Sequence, residues 1–318
     1  MRRIRLLVSG AAIVLMALLG TACSPEVTDG DEDATGDEDT GAAEAGDVGT
    51  ITVGSANFAE QLILGNMYAI ALEEAGFDVE ANLNLGSREV YFPALESGEL
   101  DVMPEYLGAA YGFLAEEEEE VLTEVDELRS ALEEVLPEGL VLLESSEAQD
   151  QDALAVTQET ADEYGLATVS DLAPVAGELV AGGPPEEETR SVGLPGLREV
   201  YDIEFADFIV TDAGGPQTVE ALSSGRIDVG RVFTTSSFID EEGFVVLEED
   251  RDLIPGENIT PIVRSEVAVA EVEEVLNGIS AALTTDILID LNARVELDND
   301  DPDVVARDFL VEQGLIEG

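Results

Sequence analysis

Residues 94–101 read Ala-Leu-Glu-Ser-Gly-Glu-Leu-Asp, and residues 221–228 read Ala-Leu-Ser-Ser-Gly-Arg-Ile-Asp. Each stretch has the pattern of a helix that ends at Ser-Gly and is followed at once by a short apolar strand. Because this unit occurs once in each half of the chain, we expect two similar lobes built from both helices and strands. Ligands of such folds bind at the carboxyl ends of the strands, often between two lobes.

Strand-like and helix-like segments alternate on both sides of this repeat, which favours parallel-type α/β sheets. Asn57, with Glu60 three residues later, is the expected N-cap of a first helix that ends near Gly76. Predicted strands cover residues 51–54, 79–85, 100–103, 153–157, 177–181, 205–210, 227–232, 244–247 and 259–263. Further predicted helices cover residues 87–97, 123–136, 195–201, 216–224, 269–283, 285–292 and 302–313.

Composition excludes several classes of function. The chain has 318 residues with 72 Asp and Glu, 13 Arg, and neither Lys nor His, which gives a formal net charge of −59. Such a charge opposes binding to nucleic acid and to anionic membrane surfaces. Without His and with a single Cys, the chain lacks the residues for most soft-metal sites, for a Ser-His-Asp triad and for an internal disulfide.

The same acidic composition favours a protein that works in concentrated salt, where screening removes the repulsion between its charges. The alternative is an ordinary acidic protein from a GC-rich genome, which also prefers Arg to Lys. At 45% apolar residues the chain can bury a core, so disorder throughout is excluded.

The N-terminus resembles an export signal. Three arginines within the first five residues precede the apolar run Leu6–Leu19, which is too short to span a bilayer. Small residues then lead to Cys23, as in a bacterial lipoprotein cleavage site, so we expect residues 1–22 to be removed and Cys23 to carry lipid. The alternative is a plain signal peptide with an incidental cysteine. Residues 23–49 are rich in Asp, Glu and Gly and are expected to form a disordered acidic tether.

Several separate blocks occur in an order typical of one family. They are Ile51–Gln61, residues 85–87 through 104–108, Asp150–Thr157 and Phe233–Thr235. From about Thr50 to its C-terminus, the chain therefore resembles the substrate-binding proteins of ABC importers for glycine betaine, choline and related quaternary amines. The resemblance implies a two-lobed type II periplasmic-binding-protein fold, in which two hinge crossovers let the lobes close on the solute. It places lobe one at residues 50–151 plus 258–318 and lobe two at residues 152–257.

The resemblance also implies which residues hold the solute. In the family, tyrosines from both lobes surround the quaternary ammonium by cation–π attraction, worth ~0.5–2 kcal/mol per ring, and positively charged groups hold the betaine carboxylate. Tyr106 stands at the first ring position, Phe233 at the third, and Arg190 where the carboxylate-binding arginine is expected. Asn57 is a candidate for contact with a ligand carboxylate as well as for capping.

Two of the ring positions carry acids instead. Asp152, or its neighbour Ala153, stands at the second position, and the fourth falls near Glu257. A carboxylate holds a cation by charge and, unlike a ring, also accepts N–H hydrogen bonds. We therefore expect a cationic or zwitterionic solute that is not simply glycine betaine and is either less methylated or carries N–H donors.

Each candidate also has an ordinary structural explanation. Tyr106 and Phe233 could be packing residues, and Arg190 could pair with the acids at 186–188 in its own loop. Asp152 and Glu257 could be two more solvated surface acids.

Together these features predict an exported lipoprotein that captures a small compatible solute, such as an osmoprotectant, and passes it to an ABC permease. We expect a monomer without catalytic residues, cofactor, metal or nucleic-acid partner, held at the membrane only through its lipid. The alternatives are a solute sensor of the same fold, a binder retuned to another small solute, a two-lobed enzyme that uses paired carboxylates, and a surface protein with a vestigial cleft.

Overall fold

The computed structural model describes residues 48–115 and 121–318. The predicted signal peptide, Cys23 and nearly all of the predicted tether lie outside these residues. Within the described ranges, none of the helices is both long and apolar enough to cross a membrane.

Strands and helices alternate along most of the chain, as the sequence predicts. The strands are β1 (Thr50–Gly54), β2 (Asp78–Asn82), β3 (Val102–Tyr106), β4 (Leu140–Leu142), β5 (Asp152–Val156), β6 (Val180–Gly183), β7 (Asp207–Val210), β8 (Val229–Phe233), β9 (Val245–Val246) and β10 (Ile259–Arg264). The helices are α1 (Ala59–Glu74), α2 (Arg88–Ser97), α3 (Leu107–Leu114), α4 (Val125–Val135), α5 (Gln158–Tyr164), α6 (Leu194–Tyr201), α7 (Pro216–Ser223), α8 (Phe238–Glu242), α9 (Ala270–Ala282), α10 (Thr285–Glu296) and α11 (Pro302–Glu312). Each predicted element overlaps an observed one, whereas α3, β4, α5 and α8 were not predicted.

The strands form two sheets of the same design. The strand order is β2-β1-β3-β10-β4 in the first sheet and β7-β6-β8-β5-β9 in the second. The first three strands of each order are parallel, and the fourth runs antiparallel to both of its neighbours. Two segments, 143–151 and 247–258, connect the sheets and lie side by side where Gln149 bridges Asn258. The predicted two-lobed α/β architecture with two crossovers is confirmed.

The repeated stretches occupy equivalent places in the two sheets. α2 is followed by Gly98 at φ 80°, and α7 is closely followed by Gly225 at φ 69°. In the first lobe, the Asp101 carboxylate accepts a hydrogen bond of 2.8 Å from the Thr52 N–H on β1. In the second lobe, the Asp228 carboxylate accepts one of 2.8 Å from the Val180 N–H on β6. The last aspartate of each repeat therefore ties its strand to the neighbouring parallel strand.

The core of the first lobe covers both faces of its sheet. Val102 on β3 packs with α1, α9, α10 and α11, while its neighbour Met103 packs with α2, α3 and α4. Because successive strand residues point to opposite faces, this apolar strand serves both layers. The second lobe has a similar pair of apolar clusters on its own sheet.

The prediction that Asn57 caps the first helix is wrong. α1 begins at Ala59, and the N-cap position belongs to Phe58, which has an extended backbone and no side-chain capping bond. Gln61 holds the preceding loop in this shape, because its amide oxygen accepts from the Ala56 N–H and its amide nitrogen donates to the Pro104 carbonyl. Asn57 is left exposed at the surface of the interlobe cavity.

Candidate functional site

A cavity of about 530 Å³ lies between the lobes, at the carboxyl ends of the central parallel strands. The antiparallel fourth strands begin at this same edge. Asp152, at the start of β5, pairs with Phe233 at the end of β8, and Ile259, at the start of β10, pairs with Tyr106 at the end of β3. Glu257 comes just before β10. The sheet topology therefore brings together ring and acid positions that are far apart in sequence.

All of the predicted ligand-binding residues line this cavity. They are Asn57, Tyr106, Asp152, Arg190, Phe233 and Glu257. The cavity is also lined by residues that the sequence reasoning did not select, and these include Phe58, Glu60, Arg88, Asp150 and Asn292.

Aromatic rings from both lobes meet at the cavity. Phe58 of the first lobe stacks on Tyr106 with ring centroids 6.3 Å apart and lies 4.9 Å from the ring of Phe233 in the second lobe. Such a surface of ring faces attracts an organic cation through the π electrons. Phe58 was missed as a site residue although it lies within the first family-like block, and its position in the loop between β1 and α1 was the available signal.

Glu60 is a buried carboxylate that joins the lobes. It accepts hydrogen bonds from the Tyr106 hydroxyl at 2.8 Å, the Thr235 hydroxyl at 2.7 Å and the Asn292 amide nitrogen at 2.9 Å. The residue is only 2% exposed. Burial raises the pKa of Glu60, although these three donors favour its charged form. Thr235 follows β8, so this cluster spans the cleft beneath the rings.

A second buried carboxylate lies beside Glu60. Asp150, in the crossover before β5, accepts from the Thr235 N–H at 3.1 Å. Burial raises the pKa of Asp150 well above its usual range, and the charge of Glu60 raises it further. Asn292 completes the cluster, and its buried amide oxygen has no hydrogen-bond partner within the described part of the chain. In sequence, Glu60 resembles a capping acid and Asn292 an ordinary helix residue, so neither gave a local signal.

The acids at the two substituted ring positions differ in burial. Glu257 is only 4% exposed, and its Oε2 atom accepts from the Ala109 N–H at 3.0 Å. Burial raises the pKa of Glu257 well above its usual range; the charge of Asp152 adds to this shift, while Arg88 opposes it. Asp152 is half-buried, and its carboxylate forms neither a hydrogen bond nor an ion pair with any other residue that the structure describes.

Arg190 reaches across the cleft to a carboxylate of the other lobe. Its Nε and Nη2 atoms donate to Glu89 on α2 at 3.2 and 3.0 Å. Although its partial burial favours the neutral form, hydrogen bonds led by that from Arg190 lower the pKa of Glu89 to about 2. The alternative that Arg190 pairs with the acids of its own 186–188 loop is therefore wrong, and Glu187 in that loop binds the buried Arg231 at 2.8 Å.

Arg88, which the sequence reasoning also missed, lies at the floor of the cavity. Its guanidinium binds the Glu105 carboxylate in a buried ion pair with a shortest distance of 2.8 Å. The Tyr91 hydroxyl donates to the same carboxylate at 2.8 Å. Both arginines that line the cavity are therefore already bound to carboxylates.

Comparison with known proteins gives a consistent result. Residues 49–312 match the family model for the substrate-binding domain of the ABC-type glycine betaine transport system. A glycine-betaine-binding protein of Pseudomonas aeruginosa is 32% identical over 281 residues, which cover 84% of this chain and 89% of that protein. A carnitine transport binding protein of Listeria monocytogenes is 26% identical over 85% of this chain and 88% of that protein.

Solved structures confirm the predicted periplasmic-binding-protein fold. The crystal structure of a glycine betaine/carnitine/choline ABC transporter protein superposes with a TM-score of 0.66 at 23% identity, covering 83% of this chain and 99% of that chain. Because the family model spans most of the sequence and a relative above 30% identity covers most of both proteins, the predicted family is confirmed as well. The chain belongs to the substrate-binding proteins of ABC-type glycine betaine transport systems.

Proposed function

We propose that this chain binds a small quaternary-ammonium solute between its two lobes and delivers it to the membrane permease of an ABC importer. The observation that carries the proposal is the group of rings Phe58, Tyr106 and Phe233, which comes from both lobes and faces one cavity. A quaternary ammonium has no N–H to donate, so ring faces are the groups that hold it best, at ~0.5–2 kcal/mol per ring.

The surrounding acids support a positively charged solute. Asp152 and Glu257 line the cavity beside the rings, and neither is bound by an arginine side chain. A cation that enters the cavity gains attraction from the Asp152 carboxylate, and its charge also favours the ionised form of Glu257. In this proposal Tyr106 and Phe233 contact the methyl groups, Asp152 and Glu257 balance the charge, and Asn57 lies at the entrance.

The lobes act as bodies that move about the two crossovers. We take residues 50–151 plus 258–318 as one body and residues 152–257 as the other. Solute binding favours the closed arrangement, because only then do rings from both lobes touch the same ligand. The chain performs no chemistry and needs neither cofactor nor metal in this role.

Export and anchoring complete the proposal. Residues 1–22 direct the chain out of the cytoplasm, Cys23 carries the lipid, and residues 23–49 tether the lobes to the membrane as a monomer. A solute receptor held close to its permease delivers solute at a raised local concentration.

Calorimetric titration of the full chain in about 1 M NaCl tests the proposal. Choline, glycine betaine and carnitine are the probes. At least one of them is expected to bind, and Phe233→Ala should weaken its binding about 2- to 30-fold, the value of one ring. Phe208→Ala, a half-buried ring on β7 outside this cavity, is the matched control and should leave binding unchanged. Absence of binding to all three probes by a cooperatively folded chain would overturn the proposal.

A further inference from the structure

The cavity holds more carboxylates than free positive charges. Arg88 is bound to Glu105, and Arg190 is bound to Glu89 on the opposite lobe. Across the described residues, these two arginines are the basic side chains that line the cavity, and both are engaged. Arg190, the predicted partner of a ligand carboxylate, is therefore already bound to a carboxylate of the protein.

We propose that Glu89 determines specificity, because it holds Arg190 away from the ligand and so makes the site select organic cations without a carboxylate over zwitterionic betaines. This inference rests on the proposed function and narrows its substrate class. It assigns Glu89 to the positioning of Arg190 rather than to direct contact with solute.

The geometry of the ion pair supports this role. Both Nε and Nη2 of Arg190 face the two oxygens of Glu89, which uses the bidentate edge that a ligand carboxylate would need. The pair lies where the main cavity meets a second cavity of about 370 Å³, since both are lined by Arg88, Ala109, Asp152 and Arg190. Glu89 is thus placed to keep the guanidinium at the wall of the site.

The remaining groups at this wall would repel a ligand carboxylate. Asp152 lacks a bound partner within the part of the chain that the structure describes, and Glu257 has a single backbone donor. The Arg88 guanidinium is held by the Glu105 carboxylate in a buried ion pair, so its charge is already balanced by a carboxylate of the protein. A trimethylammonium group fits such a site, whereas the carboxylate at the other end of a betaine does not.

Choline and glycine betaine make a sharp pair of probes, because both carry a trimethylammonium group and only glycine betaine carries a carboxylate. In calorimetric titrations of the full chain, choline is expected to bind at least about tenfold more tightly. Glu89→Gln should release Arg190 and tighten glycine betaine binding by about tenfold or more, with choline binding changed by less than about threefold.

Two further variants separate this role from general effects. Glu96→Gln removes an exposed acid from the same helix outside the cavity and should leave the preference unchanged. The double variant Glu89→Gln/Arg190→Gln should lose the gain in glycine betaine binding, because the released guanidinium is absent.

The outcomes distinguish this inference from the function on which it rests. Wild-type binding of glycine betaine at least as tight as that of choline, or a Glu89→Gln variant with an unchanged preference, would overturn the inference and leave the receptor function standing. A gain that persists in the double variant would overturn the role of Arg190 in it. Binding of neither probe to the folded wild type would overturn both proposals.

Discussion

Replacement of Gly108 by alanine tests how tightly the second crossover packs against the first lobe. Gly108 lies in the first turn of α3, where residues 255–256 pass over it. A Cβ atom at this position would lie 2.3 Å from Cγ and 2.6 Å from Cβ of Pro255, and 2.7 Å from the carbonyl oxygen of Gly256. Favourable contacts between carbon atoms begin near ~3.5 Å, and neither a proline ring nor a backbone carbonyl can rotate away.

The expected cost follows from these contacts. Overpacking of a tight site costs ~1–3 kcal/mol, and contacts as short as these place the cost in the upper part of that range, at about 2–3 kcal/mol. The hydrogen bond from the Gly108 N–H to the Gly256 carbonyl, 3.0 Å long, would be strained, which costs up to about 1.5 kcal/mol more. Alanine has a higher helix propensity than glycine, which raises the free energy of unfolding by about 1 kcal/mol. We therefore expect the free energy of unfolding to fall by about 1–3.5 kcal/mol, and the Tm to fall by about 2–14 °C.

Urea unfolding followed by circular dichroism measures this change. Gly278→Ala in α9 is the matched control, because its Cβ would lie 3.5 Å from the nearest neighbouring atom, in Leu315, which is an ordinary contact. The control should stabilise the chain by about 0.5–1 kcal/mol. If Gly108→Ala unfolds at the same urea concentration as the wild type or at a higher one, the crossover has room to move and the steric reasoning fails.

Two further predictions concern charge. Because the pKa of Asp150 is raised in the folded chain, the folded state binds protons more tightly than the unfolded state above about pH 4, so stability falls as the pH rises. Melting curves should show a lower Tm at about pH 8 than at about pH 5. Asp150→Asn should reduce this difference and Asp162→Asn, an exposed control, should not; equal slopes in all three proteins would contradict the assignment. Second, the net charge of −59 should make the Tm rise as NaCl increases from about 0.1 M to about 2 M, and a falling Tm would show that the screened repulsion is unimportant.

The sequence predicted the fold well because its signals were local. The two repeated stretches, which end at Asp101 and Asp228, each span only eight residues. Each stretch predicts the end of a helix, a turn and the start of a strand. β4 was not predicted because three residues are too few to show a periodic pattern. α3 was not predicted because its small and aromatic residues leave it without a polar face.

The site was harder to predict because its contacts join distant residues. Arg190 pairs with Glu89, which is 101 positions away, and no local pattern distinguishes that partner from the acids beside Arg190. Glu60 looks like an acid in a first helical turn, yet Tyr106, Thr235 and Asn292 converge on it only after both lobes have formed. The family resemblance predicted which positions carry the rings and acids of the site. Their hydrogen-bond and ion-pair partners became visible only in the folded structure.

The placement of β10 between β3 and β4 has a consequence for the order of folding. The first sheet cannot close until residue 264 is available, although three of its strands are complete by residue 106. The second sheet needs only residues 152–246, which are contiguous. We therefore expect the second lobe to fold before the first. Val102 and Met103 on β3 pair with β10, which is synthesised more than 150 positions later. The first lobe therefore stays incomplete, with one edge of β3 unpaired, until residue 264 has emerged.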